Sequence, residues 1–314
     1  MRRAIPLLVL TLMAAAAVQA QFDWAYQSTD EVLPQRDLEA DEQAPRTVPG
    51  SKLARTQAEI DDPWSPPDWF PGDHHAPVPE IVARGAGENV RACAQCHGFA
   101  GSGHPESSHL TGLTVNYIVR QMAEFKTGAR KDRFWMNRFA PFVSDVQVLA
   151  AAEWYAGIEP RDFIDRVIET ETVPVTYIGD GRMRFIHPDG GTEPIGNRVL
   201  EVPQDRALAT ARHPYSGFTV YAPPGSVARG ADLATTGANG TTIPCAICHG
   251  EGLKGLADVP RLAGISPLYA VRQLDQFRTN ERVGSMAALM TATVANLSDE
   301  DIVALAAYLA SLDP

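Results

Sequence analysis

Six residues recur in this chain almost letter for letter: Cys93-Ala94-Gln95-Cys96-His97-Gly98 and Cys245-Ala246-Ile247-Cys248-His249-Gly250. The four cysteines in them are the only ones in the sequence. In each copy two residues separate the thiols and a His follows directly, the attachment pattern of haem c. Sulfurs at this spacing reach two vinyl groups on one edge of a porphyrin, and the next residue swings its imidazole beneath the iron. The doubled motif predicts two covalent haem c groups. Cys93, Cys96, Cys245 and Cys248 are the expected attachment points, and His97 and His249 the proximal iron ligands. A zinc site made of two C-x-x-C knuckles, a redox C-x-x-C and disulfides are the competing readings. Zinc gives no reason for a His after both pairs, and a redox pair wants a βαβ context that this sequence does not offer.

The repeat extends well beyond the motif. Ala83-Arg84-Gly85-Ala86 precedes the first copy and Ala228-Arg229-Gly230-Ala231 the second. Downstream, Tyr117, Gln121 and Phe125 match Tyr269, Gln273 and Phe277, each set spaced as one stripe of a helix. A last helix opens at Ser144-x-x-Gln147 and at Ser298-x-x-Asp301, a capping box and a looser form of one. Val146, Leu149 and Ala150 are expected to face the core in the first of these helices. Ile302, Leu305, Ala306 and Leu309 are expected to do so in the second.

These openings also set the register for a second axial ligand. A Met thioether opposite the His favours ferrous iron and raises the potential. Met136 lies seven residues before Val143, and Met290 seven before Leu297, the residue preceding each box. Met136 and Met290 are therefore the expected distal ligands. Met286 is the reserve in the second copy, and Met122 suits a packing role. His104, His109, His187 and His213 compete less well, since none recurs in both copies.

Other stretches lie outside the repeat. Met1-Arg2-Arg3, the apolar run 4–17 and Val18-Gln19-Ala20 read as a signal peptide, 1–20. Residues 21–77 form a Pro-rich arm, expected to be extended and anchored by 64–70. From 21 to 80 there are 13 acids against 4 bases, much of the formal charge of -11. Such a segment is usually solvated, although it suits a basic partner. No basic stripe appears, so nucleic acid is not an expected partner. His74 and His75 sit in the arm as an expected inert loop pair. Residues 159–222 separate the copies. There 173–178 and 182–187 flank Gly179-Asp180-Gly181 as an expected β-hairpin, and 198–202 is a further candidate strand. No stretch after the leader has about 18 uninterrupted apolar residues, so no membrane span is expected in the mature chain.

On both C-x-x-C-H-G motifs, Pro260-x-Leu262-Ala263-Gly264, Tyr269-x-x-x-Gln273-Leu274, Met290, and the run from Leu297 through Tyr308, the chain resembles the dihaem class I cytochromes c, cytochrome c4 and its relatives. The resemblance covers 78–158 and 223–314. It implies a mostly α fold: two class I cytochrome c domains at those limits, joined by the 159–222 insert with its small hairpin and preceded by the arm. It implies His/Met ligation by His97 with Met136 and His249 with Met290, and periplasmic single-electron transfer between redox partner proteins in a respiratory chain. Association with a membrane-bound oxidase or dehydrogenase, or service as the electron-accepting subunit of a periplasmic dehydrogenase, are alternatives. A dihaem peroxidase or thiosulfate-oxidising enzyme is a third, disfavoured because a matched Met in each copy leaves no open iron position. One departure stands out: Ser108 occupies the place of Pro260, whose loop in this family supports the proximal His through a backbone carbonyl.

Overall fold

The computed structural model describes residues 22–26, 43–162 and 164–314. The expected leader, 1–20, lies outside the described residues, as do 21 and 27–42 of the arm. The described arm is more folded than its prolines suggest. Strands β1 (Arg46–Thr47) and β2 (Ala54–Arg55) pair antiparallel, and helix α1 (Gln57–Asp61) follows. Thr56 caps α1, its hydroxyl accepting from the Glu59 N–H while the Glu59 carboxylate accepts from the Thr56 N–H. This reciprocal cap starts a helix before the prolines from Pro63 onward can forbid one.

The first repeat carries α2 (Glu80–Ala83), α3 (Cys93–His97), α4 (Val115–Thr127), α5 (Met136–Phe139) and α6 (Asp145–Ala156). Thr114 caps α4, and Gly128 ends it in the left-handed region. Tyr117, Gln121 and Phe125 are buried along one face of α4, as their spacing predicts. On α6 the predicted face is wrong: Val146 is 79% and Leu149 44% exposed, while Val148, Ala152, Trp154 and Tyr155 are buried. The two aromatics set the rotation. Tyr155 donates its hydroxyl to the Gly98 carbonyl at 3.1 Å, and Trp154 meets Phe99 edge-on. The 148, 152, 155 stripe must then face inward.

The insert is a set of short strands: β3 (Ile164–Glu169), β4 (Thr172–Pro174), β5 (Thr176–Ile178), β6 (Arg184–Ile186), β7 (Thr192–Pro194), β8 (Leu200–Pro203) and β9 (Phe218–Ala222), with α7 (Arg206–Thr210) before the last. β5 and β6 pair antiparallel, Thr176 opposite Ile186. The stretch read as one strand, 173–178, divides: its Val173–Pro174 end pairs with β7 instead. Pro174 has no N–H to continue a ladder, so the strand changes partner there. β9, a strand that the sequence reading did not single out, sits between β3, parallel to it, and β8, antiparallel to it.

The second repeat carries α8 (Ser226–Thr236), α9 (Ala246–His249), α10 (Pro267–Arg278), α11 (Ala287–Val294) and α12 (Asp299–Ala310). Ser298 and Asp301 make the full two-way capping box on α12. Ile302, Leu305, Ala306 and Leu309 are all buried, and α12 packs on α8 and α10. Each repeat has its own apolar core, one around Ile81, Val82, Leu113 and Val148, the other around Leu233, Leu268, Val271 and Ile302. Burying each such side chain is worth about 1.5–3 kcal/mol.

The repeats meet through matching positions. Arg130 and Arg282 form an antiparallel bridge, flanked by Val283 N–H to Ala129 O at 2.7 Å and Lys131 N–H to Glu281 O at 2.9 Å. Arg130 donates to Tyr269 Oη, Gln273 Oε1 and Gln121 Oε1 at 2.8–2.9 Å. Arg282 donates to Tyr117 Oη, Gln121 Oε1 and Gln273 Oε1 at 2.7–2.9 Å. Among the described residues no helix is long and apolar enough to cross a membrane.

Candidate cofactor site

The motif residues fall on short helices, and the glycine after each is a backbone requirement. Gly98 has φ +71° and Gly250 φ +78°, where a β-carbon is disfavoured. The turn sends the chain into a loop that comes back under the His. Gly103 N–H reaches His97 O and Gly255 N–H reaches His249 O. His104 pairs with Ser107, and Leu256 with Val259. At the end of this loop His97 Nδ1 lies 2.8 Å from the Ser108 carbonyl oxygen, and His249 Nδ1 lies 2.7 Å from that of Pro260. The support expected of a proline loop is thus present in both copies, because a backbone carbonyl supplies it and Ser108 has one as good as Pro260. Donating Nδ1–H to a carbonyl leaves the Nε2 lone pair for a metal. Burial lowers the pKa of both imidazoles, against the raising effect of the carbonyls.

A cavity of about 340 Å³ opens beside the first motif. Cys93, Cys96, His97, Met122 and Met136 line it, with apolar side chains such as Leu113 and Val143. Burial pushes the Cys93 thiol up to about 12 and the Cys245 thiol up to about 11, and raises that of Cys96. Neutral thiols, a neutral imidazole and a thioether in an apolar cavity suit a porphyrin iron; a hard cation would want oxygen ligands. Among the described residues no group of three His, Cys, Asp or Glu comes together to hold a metal, so the two C-x-x-C pairs do not assemble a zinc site. No disulfide joins the cysteines either.

Met136 opens α5, its N–H donated to Asp132 Oδ2 at 2.9 Å. In the second repeat Cys245 precedes α9, Cys248 is exposed and His249 is 5% exposed. Met290, on α11, packs against the second core, whereas Met286 is 49% exposed. Of the competing histidines, His104 lines the first cavity but both ring nitrogens face partners, the Glu106 N–H and Ser107 Oγ. Burial pushes it down to about 3. His109 is buried with no hydrogen-bond partner at either nitrogen, edge-on to Tyr269. His213 Nε2 faces the Pro49 carbonyl, and His187 lies beside Asp189. In the arm His74 meets Asp68 at 2.7 Å, and both His74 and His75 pack on Trp154.

Sequence reasoning missed the two arginines that join the repeats, although a signal was available: each stands five residues after its repeated Phe, Phe125 or Phe277. It also missed Tyr155, whose ring lies 6.5 Å from that of His97.

The cytochrome c family profile matches residues 227–313. Cytochrome c-554(548) of Halomonas halodenitrificans is 44% identical over 68 residues, 21% of this chain and 82% of that protein. Cytochrome c4 of Thiocapsa roseopersicina is 26% identical over 246 residues, 76% of this chain and 97% of its own length. A thiosulfate dehydrogenase electron acceptor of Thiomonas intermedia is 25% identical over 225 residues, 70% of this chain and 78% of its own. With the attachment motif in both repeats and the family match over the second, the chain belongs to the cytochrome c family.

Proposed function

We propose that this protein is a periplasmic single-electron carrier with one covalent haem c in each of two domains, 78–158 and 223–314. Cys93 and Cys96 hold the first haem, with His97 and Met136 on its iron. Cys245 and Cys248 hold the second, with His249 and Met290. The iron, when bound, supplies the one-electron chemistry; the chain supplies orientation, burial and axial ligands. The observation that carries this reading is the matched second contact of the two histidines, His97 to Ser108 O and His249 to Pro260 O, since a ligating His commonly donates its other nitrogen in this way. The 1–20 leader supports export, which covalent haem attachment in bacteria also requires. The test is a spectroscopic redox titration with Met136→Ala and Met290→Ala made separately. Each variant is expected to disturb one haem and spare the other. A full two-haem spectrum that neither variant alters would overturn the ligand set.

A second reading has its own support. The relative from Thiomonas intermedia is named as an electron acceptor of thiosulfate dehydrogenase and aligns over 225 residues, 70% of this chain. On this reading the donor is a dehydrogenase subunit, and the protein accepts electrons without transforming the substrate. Reduction of the purified protein by such a dehydrogenase with thiosulfate, and not by thiosulfate alone, is the expected result. Turnover of thiosulfate by this protein unaided would instead make it the enzyme.

A further inference from the structure

The two motifs differ sharply in what covers them. In the first, Ala94 is 5% and Gln95 9% exposed. In the second, Ala246 and Cys248 are exposed and Ile247 is 66% exposed. Ile243, two residues before Cys245, and Leu256, beside Gly250, are further exposed apolar side chains at that open edge.

The cover over the first motif comes from the two segments that have no counterpart in the second repeat. From the arm, the Pro63 carbonyl accepts the Ala92 N–H at 3.1 Å. From the insert, Arg212 donates Nη1 to the Gln95 carbonyl at 2.7 Å. A cavity of only about 100 Å³ separates Ala94 and Gln95 from Met183 and Phe218 of the insert. On the other side Arg182 lines the haem cavity itself. Its guanidinium lies 4.3 Å from the ring centroid of Phe134 and 5.7 Å from that of Trp135, next to Met136. Arg182 and Arg212 have φ +58° and +56°, a backbone region costly for any residue with a β-carbon. Such strain persists only where surrounding contacts over-determine it. Both positive-φ arginines among the described residues of the insert reach the first repeat.

We propose that electrons cross the surface of this protein only at the second motif, and that the arm and insert close the equivalent edge of the first. The first haem then exchanges with the outside through the second, across the contact where Arg130 and Arg282 join the repeats. This rests on the carrier reading with a haem in each repeat.

The experiment uses the intact, fully reduced haem protein, mixed in a stopped-flow instrument with hexacyanoferrate(III). One hexacyanoferrate(III) is reduced to hexacyanoferrate(II) for each ferrous haem oxidised. Ile247→Glu places a negative charge at the open edge, and Ile243→Glu does the same nearby should the first variant fold poorly. At low salt the whole absorbance change is expected to slow about tenfold, and the effect to shrink as salt is raised. If half of the change keeps the wild-type rate, the first haem has its own exit and the proposal is overturned. The pyridine haemochrome of the same samples separates the two questions. Fewer than two haems per chain would sink the carrier reading itself, whereas two haems with an unslowed half would sink only the proposed route.

Discussion

Arg282 donates Nη2 to the hydroxyl of Tyr117 at 2.9 Å, and this bond joins the two repeats. Its counterpart, Arg130 to Tyr269, has the same length. Both guanidinium groups also reach Gln121 and Gln273, so two amide oxygens serve two cations. Arg282→Ala leaves the buried Tyr117 without this donor and removes a cation from the face of Phe277. The expected loss in denaturant unfolding of the haem protein is about 3 kcal/mol, since hydrogen bonds to a charged group are worth about 1.5–3 kcal/mol each and are not additive. Arg282→Lys should recover less than half of it, because an ammonium cannot span the fork. The Arg130→Ala/Arg282→Ala double variant should lose less than the sum of the singles, because the partners are shared. Strict additivity would mean that the two arginines act independently.

The proximal loops give a second prediction. Ser108 and Pro260 end loops with the same internal hydrogen bonds, and only their carbonyls touch the histidines. Ser108→Pro is therefore expected to leave the visible spectrum unchanged and to stabilise the protein by about 0.4–1 kcal/mol, through a less flexible unfolded chain. A lowered melting temperature or an altered spectrum would show that the two loops are not interchangeable.

Much of the site was legible because the chemistry fixes it locally. C-x-x-C-H-G writes out the sulfur spacing and the following His, and Ser144 and Ser298 mark their helix starts with a capping partner three residues on. What escaped was decided at long range. The rotation of α6 follows from Tyr155 meeting Gly98, far away in sequence. The placement of β9 between β3 and β8 depends on strands separated by most of the insert. The arm hid a capped helix because its prolines, which forbid helix after Pro63, say nothing about 57–61. Arg130 and Arg282 stood in matching register, but their roles exist only once the repeats meet.

Trp69 fixes the arm to the insert. It is 2% exposed, and its indole N–H donates to the Ala211 carbonyl at 2.7 Å, within a small cluster with Val48 and Ile60. Trp69→Phe keeps a ring but leaves that carbonyl without its donor, a cost of about 1–3 kcal/mol. The effect should be local: limited proteolysis is expected to cut within the arm sooner, while the haem spectrum is unchanged. An arm as resistant as the wild type's would mean that the indole bond does not hold it.

Glu201 predicts how stability depends on pH. Its side chain is fully buried, with the Ser266 hydroxyl donating to Oε2 at 2.7 Å and no partner for Oε1. Burial pushes its pKa from 4.5 up to about 8, against the Ser266 bond and the Arg272 charge, which favour the ionised form. The folded state thus holds this proton more tightly than the unfolded chain does. Its contribution is fully present below about 4.5, falls as pH rises towards about 8, and changes no further above that. Glu201→Gln keeps the shape without the charge. Its unfolding free energy should match the wild type's near pH 4.5 and exceed it increasingly up to about pH 8, by a few kcal/mol at about 1.4 kcal/mol per unit of pKa separation. Curves that stay parallel over this range would mean that Glu201 ionises as readily in the folded protein as in the unfolded chain.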